Sequence, residues 1–149
     1  MVSDWRLMEK KNFYKKILII SSNFYPEISK NLKEGVLNVL KSERIDFEFK
    51  SIRGSLEIPF FLERYKKQYL GYIIIGCVIK GETDHYEIVK NITYSQIYKV
   101  AYENILPLSS ALLTVENYSQ ALERSDIKKR DLGGLAAKTC LNLIKKINE

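Results

Sequence analysis

The single histidine of the chain, His85, lies in a stretch of glycine and polar residues whose composition suits chemistry. The stretch covers residues 76–89 and follows residues 72–75, an apolar run that predicts a strand buried on both faces. In an open parallel sheet, ligands bind outside the carboxyl ends of the strands, so we expect this loop to border a ligand site. Histidine can exchange protons near neutral pH, but a lone histidine is more often structural, and these residues alone leave both roles open.

Two further side chains lie where other strands are predicted to end. Phe24 follows the strand predicted at 16–20, and an aromatic residue in such a loop either covers the core or stacks on a ligand. Glu57 precedes a helix opened by Pro59, where its carboxylate either complements the helix dipole or accepts hydrogen bonds from a polar ligand. The sequence therefore predicts a pocket formed by loops.

The helix predicted to start at Thr83 or Asp84 has free N–H groups, which can bind a phosphate. The carboxylates of Glu82 and Asp84 would compete with a bound anion, so a cation must compensate for them. Lys80 and Arg124 are the candidates.

Several other site classes have no support in the sequence. It contains no glycine-rich dinucleotide or P-loop motif and no G-x-S-x-G motif, which argues against dinucleotide-binding, P-loop and α/β-hydrolase sites. One histidine without a cluster of cysteines or carboxylates argues against a zinc site.

Strand and helix patterns alternate along the chain from residue 16. The predicted strands are 16–20, 45–52, 72–75 and 106–114, and 45–52 has the alternation of an edge strand. Helices are predicted at 26–42, 59–68, from 83 or 84 to 105, at 117–124 and after Gly133-Gly134. The side chains expected to form the core stripes of the third and last helices are Val89, Ile92, Ile97, Val100, Ala101, Ile105, Leu135, Ala136, Cys140, Leu143, Ile144 and Ile147. This alternation predicts right-handed βαβ units and a parallel sheet covered by helices on both faces.

Composition is consistent with one globular domain at 16–149, preceded by an arm at 1–15. With 46% apolar and 28% charged residues, the chain is not expected to be disordered. The net charge of +6 comes from scattered basic pairs, so we expect no nucleic-acid partner, and no apolar run is long enough to span a membrane. The amino terminus lacks an apolar signal core, and Cys77 and Cys140 are predicted to be buried thiols, which together favour the cytoplasm.

Two motifs carry a resemblance to a known family. Residues 76–87, Gly-Cys-Val-Ile-Lys-Gly-Glu-Thr-Asp-His-Tyr-Glu, resemble the G-[TC]-V-I-[RK]-G-x-T-x-H-[FY]-[DE] signature of the lumazine synthases of riboflavin biosynthesis. Residues 54–59, Gly-Ser-Leu-Glu-Ile-Pro, are similar to that family's G-[AS]-[FL]-E-I-P. Further similarity at 22–24, 113–117 and 120–124 extends the resemblance over nearly the whole chain after residue 16.

The resemblance implies a flavodoxin-like three-layer α/β/α sandwich with a four-stranded parallel sheet. It also implies assembly as pentamers, in some members stacked or closed into icosahedral shells. The implied transferase reaction condenses 5-amino-6-(D-ribitylamino)uracil with 3,4-dihydroxy-2-butanone 4-phosphate to 6,7-dimethyl-8-ribityllumazine, phosphate and water, without a cofactor or a metal.

The resemblance also implies site residues. His85 would shuttle protons as the catalytic residue. The pyrimidine substrate would contact the ring of Phe24, the ribityl-binding segment Ser55, Leu56 and Glu57, and backbone groups of Val78, Ile79 and Lys80. The phosphate would be bound by Gly81, Glu82 and Thr83, and by Arg124 from the neighbouring subunit.

The chain departs from the family pattern at several positions. Ser110 stands where many members place an aromatic residue of the neighbouring subunit over the substrate. Asn23 and Tyr25 flank Phe24 in place of the usual arginine and asparagine. Leu132 stands in place of a phosphate-binding lysine, for which the possible replacements are Lys128, Lys129 and Arg130.

Two alternatives to the lumazine synthase reaction share this scaffold. One is a non-catalytic flavin- or lumazine-binding shell protein, and the other is a riboflavin synthase of archaeal type. The joint presence of Phe24, Glu57 and His85 favours the enzyme over a pure binding protein. The complete 76–87 signature favours lumazine synthase over riboflavin synthase.

Overall fold

The computed structural model describes residues 15–82 and 85–149. Its strands are β1 (Ile17–Ser22), β2 (Phe47–Ile52), β3 (Gly71–Ile79) and β4 (Leu108–Val115). Its α-helices are α1 (Pro26–Ser42), α2 (Ile58–Tyr65), α3 (Tyr86–Asn104), α4 (Tyr118–Ser125) and α5 (Leu132–Ile147), and a single 3₁₀ turn, Ser55–Glu57, precedes α2. The strands are parallel and lie in the order β2-β1-β3-β4.

Helices cover the sheet on both faces because successive side chains of a strand point to opposite sides. In β1, Ile17 and Ile19 pack with α1, α4 and α5, whereas Leu18 and Ile20 pack with α2 and α3. All four side chains are completely buried. The result is a three-layer α/β/α sandwich with the strand order of the flavodoxin-like fold, which confirms the predicted fold class.

Local signals set several of the element boundaries. Pro26 lies in the first turn of α1, and the helix spans the predicted residues. Asn117 caps α4 by accepting a hydrogen bond from the Gln120 N–H group at 2.9 Å. The prediction that β2 is an edge strand is confirmed. β3 is longer than the predicted 72–75 because it continues to pair with β4 as far as Ile79.

The prediction for α3 was partly wrong. The helix begins at Tyr86, after His85 in its N-cap position, and Thr83 and Asp84 lie outside the described residues. Ile92 and Ile105 were expected in the core but are 49% and 71% exposed. Thr93 is buried instead, and Ile92 is displaced from it by about 100° around the helix axis. Ile105 lies beyond the last turn, where the backbone is left-handed.

Two other helices also differ from their predictions. α2 ends at Tyr65 rather than near residue 68. α5 already begins at Leu132, so Gly133 lies within its first turn, where a Cβ atom would overlap the carbonyl oxygen of Leu32 in α1. The glycine thus permits close contact between α1 and α5. Ala136 and Cys140 of α5 are buried as predicted, whereas two expected core residues of this helix are exposed, namely Leu135 and Ile147.

The described residues contain no helix that is long and apolar enough to cross a membrane. The predicted arm at 1–15 lies outside the described residues except for Lys15.

Candidate active site

From β1 the chain continues to β2 on one side of the sheet and then crosses to β3 on the other side, so β1 and β3 flank a topological switch point. A cavity of about 340 Å³ opens beside this point, at the carboxyl ends of the strands. Six residues implied by the family resemblance line it, namely Phe24, Ser55, Leu56, Glu57, Val78 and Glu82. A second cavity of about 520 Å³ adjoins it, because Phe24, Gly54 and Glu57 line both. The loops after β1 and β2 and the end of β3 therefore meet at one space that can hold a small molecule.

Small residues allow these elements to approach closely beneath the cavity. A Cβ atom on Gly76 would overlap Ser22 Oγ, so only glycine lets β3 pass the end of β1 at this distance. The Ser55 hydroxyl donates a hydrogen bond to Ser22 Oγ at 3.4 Å, and Ser29 Oγ donates to the Ser22 carbonyl at 2.9 Å. The first contact joins the loop after β2 to the end of β1, and the second joins α1 to the same strand end.

The end of β3 has a free backbone edge beside the cavity. Its pairing with β1 stops at Ile75, whereas its pairing with β4 continues to Ile79. On the β1 side, the backbone of residues 77–79 therefore has no strand partner among the described strands. Peptide groups on such an edge can hydrogen-bond the polar edge of a flat ligand. The N–H group of Lys80 is not free in this way, because it donates to the Val115 carbonyl at 2.9 Å.

Phe24 is placed as a platform rather than as a cover for the core. The residue is 65% exposed at the wall of the cavity. Its ring makes an edge-to-face contact with Tyr25, with 5.0 Å between the ring centroids and an interplanar angle of 74°. An aromatic ring that is held at its side and open to the cavity is suited to stacking on another planar ring.

Glu57 presents a carboxylate to both adjoining cavities. It ends the 3₁₀ turn, and its N–H group donates to the Gly54 carbonyl at 3.3 Å. A Cβ atom on Gly54 would lie 2.9 Å from Glu57 Oε2, so the glycine leaves room for the carboxylate. Glu57 is exposed and has no ion pair with another described residue, which leaves its oxygens available to accept hydrogen bonds from a ligand.

Two lining residues, Cys77 and Val89, were not predicted to contact a ligand. Burial, and to a smaller extent the negative charge of Glu82, raise the pKa of the Cys77 thiol to about 12, and Arg124 partly opposes these effects. Cys77 is therefore a neutral wall residue rather than a nucleophile at physiological pH. Its place near the carboxyl end of β3, where ligands bind in a parallel sheet, is the signal that could have indicated a position in the cavity wall.

The residues implied to bind phosphate and move protons follow β3. Gly81 has a φ angle of 85°, which favours glycine, and the Glu82 N–H group donates to the Ile79 carbonyl at 3.3 Å. His85 is exposed, and its carbonyl accepts the first helical hydrogen bond from the Val89 N–H group at 2.9 Å. Its side chain does not line the cavity that contains Phe24. Thr83 lies outside the described residues.

Neither Ser110 nor Arg124 lines the cavity that contains Phe24 in the same chain, although the charge of Arg124 acts to lower the pKa of the cavity-lining Cys77. Both line a groove of about 500 Å³ between α3 and α5, along the edge of β4 that pairs with no described strand. Seven consecutive residues, 108–114, line this groove, as expected along an unpaired strand edge. We call it the β4-edge groove. Within one chain, the structure does not bring Ser110 and Arg124 into the cavity that contains Phe24.

The two sites carry opposite charges. Glu57 and Glu82 line the cavity of about 340 Å³, in whose described lining there is no basic residue, whereas Arg53 lines the adjoining cavity of about 520 Å³. Arg124 and Arg130 line the β4-edge groove, which has no acidic residue among its described lining. The nearest basic side chain along the chain from Glu82 is Lys80, which forms an exposed ion pair with Glu116 at 3.8 Å. A phosphate in the cavity would therefore gain from cations supplied by another surface.

No cluster of three or more histidine, cysteine or acidic residues within 15–82 and 85–149 is arranged to hold a metal ion.

Comparisons with known proteins agree with the motifs. Residues 14–148 match the family model of 6,7-dimethyl-8-ribityllumazine synthase. The enzyme of that name from Bartonella tribocorum is 37% identical over 131 residues, covering 86% of this chain and 87% of the relative. Those from Beijerinckia indica subsp. indica and Novosphingobium aromaticivorans are both 38% identical, covering 86% and 87% of this chain and 73% and 94% of the relatives. The chain therefore belongs to the 6,7-dimethyl-8-ribityllumazine synthase family.

Proposed function

We propose that this protein condenses 5-amino-6-(D-ribitylamino)uracil with 3,4-dihydroxy-2-butanone 4-phosphate to give 6,7-dimethyl-8-ribityllumazine, phosphate and water. Membership of the family supports the reaction. The structural observation that carries the proposal is the cavity at the β1/β3 switch point, where Phe24, Glu57 and the end of β3 meet. These groups match the three parts of the pyrimidine substrate: a flat ring, a polyhydroxyl chain and a polar ring edge.

In this proposal, the pyrimidine ring stacks on Phe24, and its polar edge binds backbone groups of Val78, Ile79 and Lys80. The free edge of β3 at 77–79 supports this placement, with Lys80 contributing its carbonyl oxygen because its N–H group is already bonded. The ribityl chain lies along Ser55, Leu56 and Glu57, and the Glu57 carboxylate accepts hydrogen bonds from its hydroxyl groups. Phe24, Ser55, Leu56, Glu57 and Val78 line the cavity, and Ile79 and Lys80 directly follow Val78 in the chain.

The substrate amine attacks the ketone of the phosphate-bearing substrate, and the carbonyl oxygen leaves as water. The carbon–oxygen bond to the phosphate then breaks, and closure of the second ring releases further water. His85 accepts and returns protons during these steps, while Gly81, Glu82 and Thr83 hold the phosphate. Holding an amine against a ketone can by itself lower the barrier by several kcal/mol, so the site does not depend on His85 alone.

We further propose that each active site is completed by the β4-edge groove of a neighbouring subunit in a pentamer. The opposite charges of cavity and groove support this arrangement, because the neighbour's Arg124 would neutralise the phosphate beside Glu82. Ser110 of the neighbour would then lie near the substrate ring. The edge of β4, which no described strand pairs with, and the exposed apolar residues Ile88 and Ile92 of α3 are also suited to contact between subunits.

We place the protein in the cytoplasm, because both of its cysteines are buried free thiols, as expected in a reducing compartment. Its partners in this proposal are the two small-molecule substrates and further copies of the chain.

Mixing the purified protein with both substrates and following the absorbance of the lumazine product tests the reaction. We expect product formation, and complementation of a riboflavin auxotroph by the gene. Binding of the lumazine without turnover at high protein concentration would contradict the proposal and favour a binding protein. Conversion of the lumazine itself would instead favour a riboflavin synthase. Light scattering tests the assembly, and a folded, active monomer would contradict the shared site.

A further inference from the structure

A second arginine lies in the β4-edge groove together with Arg124. This residue, Arg130, belongs to the segment that connects α4 to α5. Leu132 lines the same groove, so the position where the family pattern has a phosphate-binding lysine is occupied here by an apolar side chain. The groove thus lacks that lysine but contains a different cation.

The connecting segment is fixed against α4 by its own backbone. The Arg130 N–H group donates to the Glu123 carbonyl at 3.2 Å. The Asp126 carbonyl accepts from the N–H groups of Lys129 and Asp131, both at 3.0 Å, and the Asp126 carboxylate accepts from the Lys128 N–H group at 2.8 Å. The backbone of Arg130 is therefore held in a defined position against α4, the helix that carries Arg124.

The two arginines have no acidic partner within the described residues. Neither forms an ion pair there, and no carboxylate lines the described part of the groove. Lys128 and Lys129 are exposed and do not line it. Two guanidinium groups that share a groove without a counter-charge are suited to a phosphate, since each can donate two parallel hydrogen bonds to its oxygens.

We propose that Arg130 binds the phosphate of the substrate held in the neighbouring subunit's cavity, together with Arg124, and so replaces the lysine missing at position 132. This inference rests on the proposed function and on the shared site. Of the three basic candidates Lys128, Lys129 and Arg130, only Arg130 lines the groove.

The test compares Arg130→Ala with Lys129→Ala as a matched control of an exposed neighbouring cation. We expect Arg130→Ala to raise the KM for 3,4-dihydroxy-2-butanone 4-phosphate and the inhibition constant of inorganic phosphate by about tenfold or more, as for loss of a hydrogen bond to a charged group. The KM for the pyrimidine substrate should remain within about twofold, because that substrate carries no phosphate. Lys129→Ala should leave all three constants unchanged.

A second variant tests position rather than charge alone. Adding Leu132→Lys to Arg130→Ala places a cation back in the groove and should restore most of the phosphate affinity. Thermal unfolding and light scattering check that each variant folds and assembles as the wild type does. Calorimetric titration with inorganic phosphate compares the phosphate affinities of the wild type and the variants without turnover.

The possible failures are distinct. Wild-type phosphate constants in an active, assembled Arg130→Ala variant would overturn the role of Arg130 and leave the reaction intact. A wild-type protein that forms no product would overturn the proposed function, and the calorimetric comparison would still decide whether Arg130 binds phosphate. Equal losses of phosphate affinity in Arg130→Ala and Lys129→Ala would also overturn the specific role of Arg130, because they would indicate only a general effect of positive charge.

Discussion

Replacing Phe24 with alanine should weaken binding of the pyrimidine substrate with little effect on folding. The residue is 65% exposed, so its removal forfeits only about a third of the roughly 1.5–3 kcal/mol gained by burying a whole aromatic side chain. We therefore expect the free energy of unfolding to fall by about 1 kcal/mol or less. Stacking of a base on an aromatic ring contributes about 1–3 kcal/mol, which corresponds to a roughly 5- to 150-fold rise in KM for the pyrimidine.

Steady-state kinetics with each substrate varied in turn measures this effect. The KM for the phosphate-bearing substrate should change little, because it does not stack on Phe24, and kcat should be nearly retained, because stacking stabilises ground and transition states alike. Phe24→Tyr serves as the matched variant that keeps a ring and should remain close to the wild type. A pyrimidine KM within about twofold of the wild-type value in Phe24→Ala would refute the stacking role.

The remaining predictions concern proton transfer and alkaline stability. His85→Ala should lower kcat by roughly ten- to a thousandfold without abolishing turnover, because proximity of the substrates still accelerates the reaction. Single-turnover product absorbance measures this, and an undiminished rate would exclude His85 from the mechanism. The free energy of unfolding should decrease as the pH rises above 9.0, because burial raises the pKa of Cys77 and of Cys140 to about 12, whereas the unfolded thiols lose their protons near 9.0. The folded state then binds more protons than the unfolded state, and each thiol costs up to about 1.4 kcal/mol of stability per pH unit. Denaturant titrations at about pH 8 and about pH 10 measure the difference, and equal stability at the two values would contradict the assignment.

The fold could be predicted largely from local sequence signals. Pro26 and Asn117 specify where α1 and α4 begin, because their effects act within one helical turn. The apolar runs of β1 and β3 predict buried strands for the same local reason. Ile92 and Ile105 could not be assigned correctly, because an apolar side chain that faces outward in one chain has the same local pattern as one that faces the core.

The candidate site could be predicted only in part. The positions of Phe24 and Glu57 follow from strand ends that meet at one edge of a parallel sheet. That Arg124 lines the β4-edge groove and not this cavity depends on the packing of α4 and α5 beside β4, which no local pattern specifies. The same is true of Arg130, which lines the groove, whereas its neighbours Lys128 and Lys129 do not.

We propose that the cavity of one subunit and the β4-edge groove of its neighbour form one active site. Co-assembly of two defective chains tests it most directly: one carries Phe24→Ala with His85→Ala, and the other carries Arg124→Ala with Arg130→Ala. In a random mixture, about a quarter of the interfaces combine an intact cavity with an intact groove, so we expect about a quarter of the wild-type activity, far above that of either variant alone. Activity in the mixed assembly that does not exceed the mean of the two separate variants would contradict the shared site and place the whole reaction within one chain.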